Sequence, residues 1–234
     1  MSREISHEEA RSLVEASLAK HLDWVRSRGR EPTHDDERLI AHEQTLPYGW
    51  VFSYNSRPYL ETGIDNFALV GNAPYVVLKD GQLLRFPTSW PVEFWLKAWE
   101  LDNGVRFLSE TFLPWERETV QALTNAQLVK GLRASASGLR FSPHNSGFPI
   151  RGTQAAFQVL GQWQEQKECL AAFSLLSLRL REMAEVERAD AQQEQKIEGA
   201  FTLNFQNRRY EVRARFSLPG KEEQIELKIG EITS

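Results

Sequence analysis

The chain has 234 residues, of which 41% are hydrophobic and 26% charged, and it carries a net charge of −4. This composition is that of a globular protein with enough apolar material for a core, and the length allows one large domain or two small ones. The negative charge argues against broad nucleic-acid binding, which needs a basic surface, and the single cysteine, Cys169, excludes an intramolecular disulfide.

The sequence has no feature of a targeting or membrane segment. Its first residues include acids and lack the apolar stretch of a signal peptide. No window approaches the roughly 18 apolar residues that a membrane helix needs. We therefore expect a cytoplasmic protein with neither nucleic acid nor membrane as a partner.

A first helix is predicted from Ser6, which stands three residues before Glu9 in the spacing of a capping box. The helix extends to about Arg28 and ends at Gly29. Its apolar residues recur at intervals of three and four, and so form one stripe for the core: Leu13, Val14, Leu18, Leu22 and Val25.

Strands are predicted after this helix. Residues 30–47 are polar and acidic, and we expect a loop there with one short helical turn. The pattern then becomes aromatic and β-branched, which predicts strands at 50–54 and at Tyr75–Leu78. Asp80-Gly81 favours a hairpin turn into a third strand at 83–86.

A second helix is predicted after Pro91, a residue that the first helical turn tolerates. Because Trp90, Trp95 and Trp99 cannot all face one way, we expect mainly intramolecular packing, with at least one of them at the surface or at a junction between modules. Helix, antiparallel strands and helix make a complete small α+β unit. We predict a first domain at residues 1–102.

The C-terminal half is predicted to follow a connector at 103–124. Thr124 and Gln127 have capping-box spacing and start a helix that ends near Arg133. Glycines and prolines between 137 and 152 indicate turns around a short extended stretch at 139–141. Residues 153–164 fit either a helix or a strand.

A long helix is expected at 165–187, where apolar residues again recur at helical spacing. Three strictly alternating strands follow at 201–205, 210–216 and 225–229, which predicts a meander with one face packed on that helix. Residues 125–234 would then form a second domain. The predicted fold class is α+β, with two small domains, each an antiparallel sheet packed with helices.

The sequence contains none of the common catalytic or cofactor motifs: GxxxxGK[ST], GxGxxG, HExxH and GxSxG are all missing. His34, Asp35, Asp36 and His42 form the one local group of metal-capable side chains, but their spacing matches no known site, which favours solvated surface. We therefore predict no catalytic residue, no cofactor and no metal. Cys169 is interpreted as a buried thiol on the expected long helix.

Acidic residues of the N-terminal half are the candidates for binding a partner. Asp35, Asp36 and Glu37 form a charge run, and Glu43 follows nearby. Such a run is usually a solvated loop, but it also complements a basic protein surface. These four residues are the predicted partner-binding residues.

The N-terminal half contains motif residues in a characteristic order: Gly49-Trp50-Val51-Phe52-Ser53-Tyr54, Tyr59, Leu69-Val70-Gly71-Asn72-Ala73-Pro74, Val76-Val77, Asp80-Gly81, Thr88, Pro91-Val92-Glu93 and Glu100. In order and spacing this half resembles the immunity-protein-35 family, also called the YrhB-like family, over about residues 6–101. Residues 71–74 are interpreted as a turn that leads into the strand at Tyr75. The motif residues would then be structural: they identify the family but do not show where a partner binds.

This resemblance implies a function in protein binding. Members occur in bacterial toxin–immunity loci, which implies neutralisation of a cognate toxin by direct binding, without chemistry on this chain. Some relatives resemble stand-alone stress or chaperone-like proteins, so a chaperone-like binding protein is an alternative.

The C-terminal half carries a second set of motifs: Ala136-Ser137-Gly138-Leu139-Arg140-Phe141-Ser142-Pro143, Leu178-Arg179-Leu180-Arg181-Glu182-Met183-Ala184, and Tyr210-Glu211-Val212-Arg213-Ala214-Arg215 with Leu218-Pro219 and Glu223. From about 126 to 229 it resembles the domain that precedes the motor in type II secretion and type IV pilus ATPases. The first motif departs from that family's ASDIHIEP, because Gly138, Arg140 and Ser142 replace its Asp, His and Glu. The nucleotide-binding motor is missing.

This second resemblance implies a degenerate, non-catalytic scaffold. Arg188 and Arg213 stand where that family places arginines that approach nucleotide across a subunit interface. Such a role would need a partner ATPase. An accessory or regulatory protein of a secretion or pilus system is therefore a further alternative, with a secretion-system component as its partner.

Overall fold

The structure of the protein is a computed structural model that describes residues 3–166, 169–186, 197–217 and 224–232, with the backbone alone at 169–171. The interpretations placed on Arg188, Leu218-Pro219, Glu223 and the Cys169 thiol lie outside the described residues and side chains. Contacts divide the chain into an N-terminal unit, 1–95, and a C-terminal unit, 96–234. Each unit is an antiparallel sheet packed with helices, which confirms the predicted α+β class.

The N-terminal unit begins with helix α1, His7–Ser27. Ser6 and Glu9 form the predicted capping box: Glu9 N–H donates to Ser6 Oγ at 3.1 Å, and Ser6 N–H donates to Glu9 Oε2 at 2.7 Å. Gly29 follows the helix with φ +75°, so both predicted ends are confirmed. The prediction was wrong for Leu13, which is exposed, since Ala10 takes its place in the core.

The sheet of this unit has the strand order β1 (Arg38–Leu46), β2 (Gly49–Ser56), β3 (Tyr75–Leu78) and β4 (Leu83–Arg85). The strands at β2, β3 and β4 and the turn at Gly81, φ +87°, confirm the predictions. Helix α1 packs on this sheet, and the core contains residues from both: Ala10, Val14, Leu18, Trp50, Phe52, Tyr54, Tyr75 and Val77.

The prediction of a loop at residues 30–47 was wrong over most of its length. A 3-10 helix at His34–Asp36 is the expected short turn, but β1 occupies Arg38–Leu46. β1 is an edge strand with polar residues at many positions, and a bulge between Ile40 and His42 interrupts its alternation. A two-residue period cannot be recognised across such an interruption.

Two elements of the N-terminal half were not predicted. Helix α2, Arg57–Thr62, follows β2, and a 3-10 helix at Asp65–Phe67 follows α2. Ser56, which accepts a hydrogen bond from Tyr59 N–H at 3.2 Å, and Pro58 in the first turn are the signals that identify the start of α2. The predicted helix after Pro91 is confirmed as α3, Val92–Asn103.

The C-terminal unit contains helix α4, Pro114–Arg133, and helix α5, Phe173–Met183. Among the described residues its strands are β5 (Gly138–Asn145), β6 (Arg151–Val159), β7 (Gln162–Glu165), β8 (Cys169–Ala172), β9 (Ile197–Phe205), β10 (Arg208–Phe216) and β11 (Ile225–Glu231). Their order is β7-β6-β5-β11-β10-β9, with β8 paired to β6.

Two helix predictions in this unit had the wrong start, although α4 ends at the predicted Arg133. Helix α4 begins ten residues before Thr124, at Pro114, where Glu116 supplies the N-terminal acceptor. The long helix expected at 165–187 consists of the end of β7, then β8, then α5. Its apolar run fits a buried strand as well as a helix, since periodicity alone does not distinguish them.

The other predictions for this unit hold in part. Residues 153–159 lie in β6 and 162–164 in β7, with a turn at 160–161, and the three alternating strands are β9, β10 and β11. The extended stretch at 139–141 lies in β5, but β5 continues to Asn145, so residues 142–145 are strand where turns were expected. Phe173, Leu176 and Leu180 of α5 pack against the inward face of the sheet. None of the helices in the described residues is both long and apolar enough to cross a bilayer.

Candidate functional site

The motif strand β2 is part of the core. Trp50 and Phe52 are buried, and Gly49 lies so close to β3 that a Cβ atom there would be 2.2 Å from the Val77 carbonyl oxygen. This strand therefore requires glycine at position 49 for packing, as the structural interpretation of the motif predicts.

Residues 71–74 form the predicted turn into β3. Gly71 adopts φ +73°, a conformation that favours glycine. Asn72 donates from Nδ2 to the Tyr54 carbonyl oxygen at 2.6 Å, and Ala73 is buried. Gly71, Asn72 and Ala73 thus each have a structural reason, and the Asn72 hydrogen bond fixes this turn beside β2.

The same turn also forms one wall of an open cleft, which sequence reasoning missed. Residues 86–93 form the opposite wall, Ser53 contributes from β2, and the cavity has a volume of about 390 Å³. We call this the motif cleft. It brings together motif residues that are well separated in sequence, including Asn72, Thr88 and Glu93. A turn motif in the sequence does not by itself reveal which distant segment faces it.

Trp90 gives the motif cleft an aromatic wall. Its side chain is 36% exposed and contacts the buried Phe94 ring at a centroid distance of 5.9 Å. Trp95 and Trp99 are buried, so the expectation that at least one of these tryptophans reaches the surface is confirmed. A half-exposed, supported Trp is typical of residues that anchor protein interfaces.

The predicted partner-binding acids Asp35, Asp36 and Glu37 lie together, but two of them already have partners. Asp36 accepts from Arg30 at 2.5 Å and from the Thr33 N–H and hydroxyl. The Arg30 guanidinium, with the Thr33 donors, holds the pKa of Asp36 well below its usual range. Glu37 pairs with Arg57 at 2.8 Å, while the Asp35 carboxylate lies 3.9 Å from His34 Nδ1 and its side chain is largely exposed.

Glu43, the fourth predicted residue, lies elsewhere. Its carboxylate contacts His7 Nε2 at 2.7 Å and Arg11 at 2.8 Å, beside the N-terminal turns of α1. Residues 35–37 directly precede Arg38, whose Nη2 lies 3.3 Å from His21 Nε2. His21 is ten residues along α1 from Arg11, which corresponds to about 15 Å of helix. The structure therefore does not bring the four acids together.

The described residues contain no group of three His, Cys, Asp or Glu side chains placed to hold a metal ion. His34 contacts Glu61 Oε2 at 3.1 Å instead. This arrangement links the 3-10 helix at 34–36 to α2.

A loop of residues 57–72 connects β2 to β3 and is fixed to the last residues of β2. The Ser56 hydroxyl donates to the Phe67 carbonyl oxygen at 2.5 Å, and Leu69 N–H donates to Asn55 Oδ1 at 2.8 Å. With the Asn72 contact to Tyr54, three successive β2 residues hold this segment. We call it the anchored loop.

Glu100, the last motif residue, has a structural contact. Its carboxylate accepts from the backbone N–H groups of Phe107, Leu108 and Ser109 at 2.7–3.1 Å. It therefore fixes the chain that follows α3.

Comparison with known proteins places the relationship in the N-terminal half. Residues 18–102 match the family described as immunity protein 35. The uncharacterized protein YrhB of Escherichia coli K12 is 39% identical over 67 residues, which are 28% of this chain and 71% of the relative. Both matches lie outside the proposed secretion-ATPase-like half, whose resemblance they do not support.

Proposed function

Because the chain belongs to the immunity protein 35 family, we propose that it is a non-catalytic bacterial immunity-type protein of the cytoplasm that neutralises a cognate toxin by direct binding. The observation that carries the proposal is the motif cleft, where the family-bearing residues of two separate segments meet on an accessible surface. The toxin would be inactivated by occlusion of its active surface.

The chemistry of the motif cleft supports binding of a protein. Its walls combine the half-exposed Trp90 ring with exposed Thr88 and Ser89. An aromatic anchor with polar neighbours is the usual composition of a protein interface. The cleft is an open groove beside a rigid turn, so a protruding segment of a partner can enter it without a change of fold.

The test is co-expression with the toxin encoded by the neighbouring gene. We expect the full chain to restore growth of cells that produce this toxin and to co-purify with it, while an unrelated toxin is neither neutralised nor bound. An inactive toxin variant should co-purify equally well, because binding needs no chemistry. The proposal would be refuted if the chain neither restored growth nor co-purified with the toxin.

The alternatives have weaker support. In the C-terminal unit, Arg213 pairs with Glu211 at 3.0 Å, and Arg140 pairs with Glu226 at 2.8 Å. Both arginines are thus engaged within the chain, which does not favour the nucleotide contact that the second resemblance implies for Arg213. Pull-down of a motor ATPase would favour a secretion accessory role. Suppression of client aggregation without toxin binding would favour a chaperone-like role.

A further inference from the structure

The anchored loop exposes four large apolar side chains within eleven residues. The exposed fractions are 38% for Leu60, 51% for Ile64, 41% for Phe67 and 96% for Val70. Scattered single apolar residues on a surface need no explanation, but a concentration in one segment indicates an interaction site. We call these four residues the apolar set.

The backbone that carries the apolar set is rigidly held. The Phe67 carbonyl and the Leu69 N–H are bound by Ser56 and Asn55, and Phe67 N–H donates to the Ile64 carbonyl at 3.0 Å. Gly71, next to Val70, lines the motif cleft. A preorganised loop loses little conformational entropy when a partner binds, which favours affinity.

The charges around the apolar set are negative. Glu61 and Asp65 belong to the same loop, and Asp35 lies on the 3-10 helix that contacts α2 through His34 and Glu61. Arg57, the one basic residue of the loop sequence, is paired with Glu37. The first 95 residues contain 14 acidic and 10 basic residues, so this unit carries the chain's net negative charge.

We propose that the apolar set docks an apolar segment of the cognate toxin that is flanked by Lys or Arg residues. This inference rests on the proposed function and names the surface and the chemistry of the partner. Apolar contact supplies the binding energy, and the acidic surroundings guide a basic partner to the loop. A second copy of this chain is disfavoured as the occupant, because two acidic rims would repel each other.

The first test replaces apolar residues inside and outside the loop. Ile64→Ser/Val70→Ser should weaken binding of the purified neighbouring-gene toxin, measured by calorimetry, at least about tenfold. The matched control Leu13→Ser/Leu83→Ser changes two exposed residues of the same unit, and its affinity should stay within about twofold of the parent chain. Thermal unfolding of both variants verifies that they are folded.

A second test changes one residue of the loop at a time and detects contact by cross-linking. Replacement of Val70 by a photoreactive phenylalanine should give a cross-link to the toxin in the co-purified complex, whereas the same replacement of Leu83 should not. Charge reversal by Glu61→Lys/Asp65→Lys should slow association at low salt about tenfold. The control Glu118→Lys/Glu165→Lys makes the same change of net charge in the C-terminal unit. It should slow association with the toxin less.

The outcomes separate this inference from the proposed function. If the parent chain binds the toxin and Ile64→Ser/Val70→Ser binds it equally well, the docking surface is wrong and the proposed function stands. If the parent chain is a dimer that the same variant converts to monomer, a second copy is the occupant and the inference is overturned. If the parent chain binds no toxin, both fail.

Discussion

Asn72 donates a hydrogen bond of 2.6 Å from its Nδ2 to the backbone carbonyl oxygen of Tyr54, and so ties the turn before β3 to strand β2. The same Asn72 lines the motif cleft. One side chain therefore connects the stability of the sheet with the shape of the proposed binding surface. Asn72 therefore has a structural role and, in the proposed function, also shapes the binding surface.

Loss of this contact should destabilise the N-terminal unit. Asn72→Ala removes the donor and leaves a partly buried carbonyl without it, so we expect the free energy of unfolding to fall by about 1–2 kcal/mol. Urea denaturation measures the change. The control is Asn66→Ala, because Asn66 is an exposed residue of the same loop. This substitution should change the free energy of unfolding by less than about 0.5 kcal/mol. Equal effects of the two substitutions would contradict the assignment.

Gly49→Ala should be strongly destabilising, because the new methyl group would overlap the Val77 carbonyl oxygen at 2.2 Å. Backbone on both sides cannot move without breaking the β2–β3 pairing, and overpacking of this kind costs about 1–3 kcal/mol or more. Gly230→Ala is the matched control, since a Cβ at that position contacts nothing within 4 Å. Chemical denaturation of both variants gives the comparison, and similar midpoints would contradict the prediction.

Thr88→Arg tests the motif cleft directly. Thr88 is exposed on the cleft wall, so a long charged side chain there should obstruct a bound segment while the fold is retained. We expect affinity for the toxin to fall at least about tenfold. Thr202→Arg places the same change on exposed β9 and should leave affinity unaltered. Unchanged binding by Thr88→Arg would exclude the cleft from the interface.

The buried ion pair of Lys97 and Glu116 should show strong coupling. Both side chains are almost fully buried, and Glu116 also accepts from Leu113 N–H at 2.6 Å. Lys97→Met leaves a buried carboxylate without its cation and should cost about 3–5 kcal/mol. Adding Glu116→Gln neutralises that charge and keeps an acceptor for Leu113, so the double variant should be more stable than Lys97→Met alone. A double-mutant cycle on unfolding free energies tests this.

Asp36 should contribute a pH-dependent stabilisation. Its pKa is lowered in the folded protein, so the contribution is fully present above the ordinary aspartate pKa of 3.8 and is lost as the pH falls below that value. The difference in unfolding free energy between the parent chain and Asp36→Asn should therefore shrink as the pH is lowered from about 5 to 3. Urea denaturation of both proteins at several pH values between about 5 and 3 measures this difference. A pH-independent difference for Asp36→Asn would disprove the assignment.

Local signals in the sequence were sufficient for much of the fold. Elements whose signals come from residues close together in the chain were all predicted: the Ser6–Glu9 capping box, the aromatic strand at Trp50, the Asp80-Gly81 turn and the alternating C-terminal strands. The predictions failed at β1 and at the expected long helix. There, strand pairing with distant residues decides the conformation, and a bulge or a short apolar run makes the local pattern ambiguous.

The sequence by itself determined the α+β class, the first helix with its caps, and membership of the family through the motifs around Trp50 and Gly71. Tertiary structure alone decided which residues form the proposed binding surface. Whether an acid such as Asp36 is paired or available depends on Arg30 and Thr33 in space, and the motif cleft exists because two segments separated in sequence face each other. Exposure of Val70 likewise follows from how β2 holds the anchored loop, and no local pattern encodes it.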